Sequence, residues 1–114
     1  MQLDLDEAVD FLIENIKDDY LTYSLRGEDE LSDIGKTMVS EFNNGFEVRP
    51  GKKYIKIINR NSVWGFVVAT NNDSKFSKGT ILKAAGWATP ARNHGRGNVF
   101  DGGYTIMWTG PLHM

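Results

Sequence analysis

The sequence predicts an α+β domain in which two N-terminal helices pack on one face of a C-terminal antiparallel β-sheet. Three observations carry this. Apolar residues recur every three or four positions up to about residue 43. From Phe46 onward the pattern changes to β-branched and aromatic runs separated by turn residues. The order is helix, helix, then strands, which segregates the helices to one face rather than alternating them with strands. At 114 residues, 40% hydrophobic and 25% charged, the chain is sized for one domain with a real core. Residues 1–45 form its acidic helical part and residues 46–114 its basic, strand-rich part.

Residues 4–25 read as an amphipathic helix. Leu5, Val9, Leu12, Ile16, Tyr20 and Tyr23 keep to one stripe. Asp4 and Glu7 have the spacing of a capping box, and acids in the first turn suit the positive end of the helix dipole. Arg26-Gly27 ends the helix. Glu7, Asp10, Glu14 and Asp18 fall on the opposite side, with Phe11 among them. A contact with the second helix is the simplest home for Phe11. That second helix is expected from about Asp29 to Asn43, with Leu31, Ile34, Met38 and Phe42 as its stripe and "NNG" as its stop.

The strands follow. "RPGK" (49–52) places Pro and Gly at the centre of a type II turn. "YIKII" (54–58), the polar corner "NRNS" and "VWGFVVA" (63–69) form an antiparallel hairpin. Alternation turns Lys56 away from Ile55 and Ile57, toward water. "TNNDS" (70–74) is a turn, "KG" (78–79) another, and residues 80–83 a short strand. "YTIMWTG" (104–110) is the last strand, closed by Pro111.

Charge is divided unevenly along the chain. Residues 1–48 hold 13 acidic and 3 basic groups, net −10, while residues 49–114 hold 10 basic and 2 acidic groups, net +8. The bland explanation is that acidic helices neutralise a basic sheet. The alternative is that two faces present opposite signs, since salt screens charge over about 8 Å in a molecule of roughly 13 Å radius of gyration.

Between the short strand and the last strand lies "KAAGWATPARNHGRGNVFDGG" (83–103), with neither helical period nor alternation. A structureless segment of that length in a compact domain is usually functional or disordered, and Trp87, Pro90, Val99 and Phe100 can pin it. Trp87 reads first as a core plug and second as a stacking platform. Arg92, Arg96, Asn93 and Asn98 suit the bonding of loop carbonyls, which would make them internal clamps. The same residues also suit ligand binding. Lys83, Arg92 and Arg96, with Asn93, His94 and Asn98 nearby and Gly95 and Gly97 permitting close approach, could form an anion site in a backbone nest. An aromatic beside cations is what single-stranded nucleic acid requires, and Lys52, Lys53, Lys56 and Arg60 would extend the surface.

The segments "VWGFVV", "KGTILKAAGW" and "PARNHGRGNVF" resemble a pattern in a family of small bacteriophage proteins. The likeness spans about residues 63–100 and rests on Lys83, Trp87, Pro90, Arg92, Arg96, Gly97 and Asn98. Gly86 stands where that family usually has Ser, and His94-Gly95 interrupts its basic stretch. The resemblance implies a phage-type accessory protein in a host cytoplasm, and brings no activity with it.

Catalysis finds little support. No cysteine is present, and the histidines are His94 and the near-terminal His113. Neither has a paired metal motif, and Ser62, Ser74 and Ser77 sit in turn-like contexts that explain them already. We therefore expect a non-enzymatic protein without cofactor or metal. No apolar run approaches the 18 residues of a membrane span, and the acidic N-terminus is unlike a secretory leader. The expected partners are nucleic acid or a nucleotide at the basic loop, or a host protein at Glu7, Asp10, Phe11, Glu14 and Asp18. A second copy of the chain, pairing opposite charges, would use both surfaces.

Overall fold

The computed structural model describes residues 4–102 and 104–111. Two helices, α1 (Leu5–Leu25) and α2 (Asp33–Asn44), precede a four-stranded antiparallel meander of β1 (Phe46–Pro50), β2 (Tyr54–Asn59), β3 (Ser62–Val68) and β4 (Ile81–Leu82), followed by a small ribbon of β5 (Ile106–Met107) and β6 (Gly110–Pro111). The predicted class is the observed one.

The Asp4 carboxylate accepts the Glu7 amide at 2.9 Å, capping α1, and Arg26 ends the helix in the left-handed conformation. Val9, Leu12, Ile16 and Tyr20 are buried as their spacing requires, together with Ala8 and Ile13. Tyr23 departs from the expectation: it is exposed, its ring resting against Tyr20 and Trp108. α2 starts four residues later than expected because Ser32 is its cap, its hydroxyl accepting the Gly35 amide at 3.0 Å. The helix also turns a different face inward. Val39 and Phe42 pack on the core, while Ile34 (75% exposed) and Met38 point outward. Phe11, expected in contact with the second helix, is not buried: it is 57% exposed.

Two clusters fill the two faces of the sheet. On the helix side, the α1 stripe meets Ile55, Ile57, Trp64, Val67, Ile81 and Val99. On the outer side, Phe66, Val68 and Leu82 are buried beneath Tyr54, Val63, Phe76 and Ala84. Burial on both faces explains why β3 is an unbroken apolar run rather than an alternating one. A bulge at Ile57/Ile58 leaves Trp64 without a ladder partner, and its indole N–H donates to the Met107 carbonyl at 2.9 Å.

Turns account for the remaining differences. Arg60 and Asn61 both have positive φ (47° and 70°), as the two-residue hairpin turn between β2 and β3 demands. Gly51 does not, so the β1–β2 connection is not the predicted type II turn. Pro50 remains in the strand, and Gly51 N donates to Tyr54 O at 2.9 Å. The predicted final strand 104–110 is broken by a turn at 108–109 and folds back as the β5–β6 ribbon, and the short strand at 80–83 is confined to Ile81–Leu82. Gly79, at φ +92°, is held where a Cβ would stand 2.5 Å from the Phe100 ring and 2.6 Å from Asn98 Oδ1. His113 lies outside the described residues.

Candidate nucleic-acid interface

The first part of the long irregular segment lies over the outer face of the sheet, and its last part returns along the β4 edge to the helix side, where Val99 and Phe100 join the core; it is fastened every few residues. Its first part, 83–91, doubles back as an arm: Ala91 N donates to Lys83 O, Ala84 bridges Pro90, and the amides of Ala85 and Gly86 both reach Thr89 O. Trp87 sits at the tip. It is not a core plug, being 50% exposed. Lys56 Nζ lies 4.0 Å from the centroid of its ring and Arg49 Cζ 5.8 Å away. Those two cations are cross-strand partners in β1 and β2, on the side of the sheet away from the helices. The half-buried Lys56 therefore points off the helix face as alternation predicts, but into a cation–π contact instead of free water. Arg49 also pairs with Glu47 beside it.

Beneath the arm, Gly51, Lys52, Lys53, Tyr54, Lys56, Phe66 and Ala88 line an open groove of about 440 Å³. Lys52, Lys53 and Tyr54 also line the adjoining depression of about 570 Å³, toward Asp73 and Arg92. The basic groups beside this groove are thus Lys52, Lys53, Lys56 and Arg49, with Lys83 exposed at the base of the arm. In sequence alone these lysines are only an extension of the loop site, and Arg49 carries no signal there, because it is β1 pairing that places it directly across from Lys56.

The loop's own cations take a different role. Arg92 donates from Nη1 and Nη2 to the two Asp73 oxygens, each at 2.8 Å, and from Nη1 to the Tyr54 hydroxyl at 2.6 Å. These bonds hold the Asp73 carboxyl well below the usual carboxylate range and raise the Arg92 guanidinium above its ordinary value. Asp73 Oδ1 also accepts the amides of Lys75 and Phe76, which lowers its pKa further. Lys75 Nζ donates to the carbonyls of Arg92 and Asn93 at 2.6 and 3.2 Å.

Arg96 is only 7% exposed, and its Nε has no partner among the described residues. Its amide donates to Ile81 O at 2.7 Å while Gly97 O accepts from Ile81 N, so this stretch lines the free edge of β4. The amide of the expected nest is therefore engaged. Gly95 packs against Thr80 and Phe76, where a Cβ would meet the Thr80 methyl at 3.0 Å. Asn98 is a clamp, donating to Lys78 O at 3.0 Å and accepting from Phe100 N at 2.9 Å. Asn93 Oδ1 accepts the His94 amide, and both residues are exposed at the loop surface.

Arg92, Arg96 and Asn98 thus hold the cover in shape, while Lys83, Trp87, Asn93 and His94 stay at its surface. Arg60 belongs to neither group: it lies at the far end of the hairpin, beside Phe42. On the helix layer, Glu7, Asp10, Phe11, Glu14 and Asp18 are all exposed along one side of α1. Among the described residues, no three His, Asp or Glu groups gather where they could hold a metal ion, and no helix is long and apolar enough to cross a membrane.

Fold and surface together define an α+β protein whose sheet carries an acidic helix layer on one face and a cationic, looped cover on the other. The chain belongs to a family of unknown function (DUF7717), which it matches over residues 1–105. That match includes the acidic helices, which the phage-type resemblance did not reach. No curated protein and no solved structure matches it.

Proposed function

We propose that this chain is a non-enzymatic, phage-type accessory protein that binds single-stranded nucleic acid or another phosphate-bearing ligand on the outer face of its sheet. The observation that carries the reading is the exposed Trp87, held at the tip of the arm between Lys56 and Arg49 and beside the groove of Lys52 and Lys53. A half-open indole offers a base a stacking surface, and the lysines stand where a backbone's phosphates would run. The loop cations Arg92 and Arg96 contribute indirectly, by fixing the platform.

The test is titration of labelled single-stranded oligonucleotides at several salt concentrations. With about four phosphates engaged, log affinity should fall against log salt with a slope near −3. Trp87→Ala and Lys56→Ala should each weaken binding, the latter also flattening the slope by nearly one. Salt-independent binding, or none at low salt, would remove the proposal.

A second reading rests on Phe11. An aromatic 57% exposed amid Glu7, Asp10, Glu14 and Asp18 suits docking on a basic protein surface, such as one on a host enzyme that ordinarily receives nucleic acid. The buried ring would supply affinity and the charges association rate. Capture from a host lysate should fail for Phe11→Ala and Glu14→Lys. Equal recovery of the same partner by all three proteins would refute it. Self-association, acidic helix layer against basic sheet face, is the competing use of both surfaces.

A further inference from the structure

A third surface belongs to neither reading. At the end of the hairpin away from Lys52 and Lys53, a cleft of about 450 Å³ opens between the β2–β3 turn and the turn of the β5–β6 ribbon. Phe42, Val63, Trp64 and Trp108 supply its apolar walls. The Trp64 indole N–H is already donated to Met107 O, so it turns no unmet donor into the cleft, and the main-chain amide of Trp108 is held by Asp19 Oδ2. Its volume falls in the range of small-molecule sites, roughly 300–1,000 Å³.

The charged group at this cleft is Arg60, and its side chain is held from three sides. The stem crosses Gly45, where a Cβ would stand 2.5 Å from Arg60 Cγ. Nε donates to Asn59 Oδ1 at 3.0 Å, and Asn59, itself buried, is fixed by donating from Nδ2 to Phe42 O at 2.9 Å. The guanidinium carbon rests 5.4 Å from the Phe42 ring centroid. Arg60 also holds a φ of +47°, a conformation uncommon for a long side chain and one that glycine would adopt without strain. Its two terminal amino groups have no partner among the described residues, and no carboxylate there pairs with it. A guanidinium fixed in place with its fork free is preorganised for bidentate contact with two oxygens of one carboxylate or phosphate.

We propose that this cleft is a binding site for a small planar aromatic molecule carrying one carboxylate or phosphate, its ring against Trp108 and Val63 and its anion on the Arg60 fork. The site is distinct from the Trp87 groove. Along β2, Lys56 against Trp87 and Asn59 at the cleft are three residues apart, roughly 10 Å of strand, and a single guanidinium matches one anionic group rather than a run of phosphates.

The experiment is an NMR titration of the full chain, following the indole N–H signals of Trp64, Trp87 and Trp108 and the Arg60 Nε–H. Three probes are used: indole-3-acetate, adenosine 5′-monophosphate, and the uncharged indole-3-ethanol. Saturable shifts are expected at Trp64, Trp108 and Arg60, with indole-3-acetate leaving Trp87 unmoved, and at least one anionic probe should bind at this site about tenfold or more tighter than the alcohol. Whether indole-3-acetate or the nucleotide is preferred decides between carboxylate and phosphate. Arg60→Met should abolish the anionic preference while its spectrum stays folded, and Arg60→Lys should restore only part of it, having lost the fork. Lack of saturation by all three probes, equal binding of the neutral probe, or an unchanged preference in Arg60→Met overturns the assignment. Oligonucleotide binding by Arg60→Met is scored separately, so failure of this site and failure of the Trp87 reading are distinguishable.

Discussion

Asp73 organises the cover more than any cation does. One carboxylate accepts both Arg92 amino groups and two backbone amides, tying the 70–74 turn to the loop beyond the arm. Because its folded-state pKa is depressed, the stabilisation is complete above the ordinary value of 3.8 and is lost as pH falls from there toward the folded value. Asp73→Asn keeps an oxygen for the turn amides and removes the charge. Wild type should therefore be more stable than Asp73→Asn at neutral pH, and the gap in urea midpoints should shrink below about pH 4. A gap that stays constant down to about pH 2 would show that the ion pair contributes nothing. The sequence held the ingredients of this pair, but not the pairing. Asp73 and Arg92 are nineteen positions apart, and in one dimension Arg92 was indistinguishable from a ligand-binding cation. Arg96 was equally ambiguous, since only burial reveals that it faces inward.

At the scale of elements, periodicity located α1, its cap and its buried stripe, because a 21-residue helix samples its pattern many times. The 12-residue α2 offered too few repeats. Ile34 and Met38 fit the stripe as well as Phe42 does, and tertiary packing chose the face containing Val39 and Phe42. Phe42 is the hinge of that choice: stacked on Tyr20 at 4.1 Å, edge-on to Phe46 at 5.2 Å and to Trp108 at 6.2 Å, it joins both helices to β1 and the final ribbon. Phe42→Ala should destabilise the protein by about 3–5 kcal/mol, whereas Ile34→Ala, on the outward face, should change stability by less than about 0.5 kcal/mol. Chemical denaturation of the two variants checks this, and similar losses would mean that α2 faces the other way. The unbroken run in β3 was the legible sign that something covers the outer face. The covering segment could not be placed, since its fastening relies on isolated bridges and side-chain bonds that leave no period.

The whole molecule measures 47 × 32 × 23 Å, with a radius of gyration of 14.5 Å. Those extents exceed the roughly 8 Å over which physiological salt screens charge, so an approaching partner senses one pole at a time. The acids of α1 face away from the layer that carries Lys56, Arg49 and Trp87. Opposite poles on one body can also attract a second copy head to tail, which generates rings or open chains rather than a closed dimer. If that occurs, light scattering at low salt should show species larger than a monomer that dissociate as salt is raised. A monomer at every ionic strength would leave both faces to other partners.

Local order along the chain was enough to determine the α+β class, the capped first helix, the hairpin and the division of charge, because each is written in near-neighbour spacing or simple composition. Only the tertiary structure decided which cations stay exposed and which brace the loop, that Trp87 stands outside the core, and that Arg60 overlooks a separate cleft. The reason is physical: burial, ion pairing and cation–π contact depend on residues brought together from distant positions, and those distances exist only once the sheet has formed and its outer face has been covered.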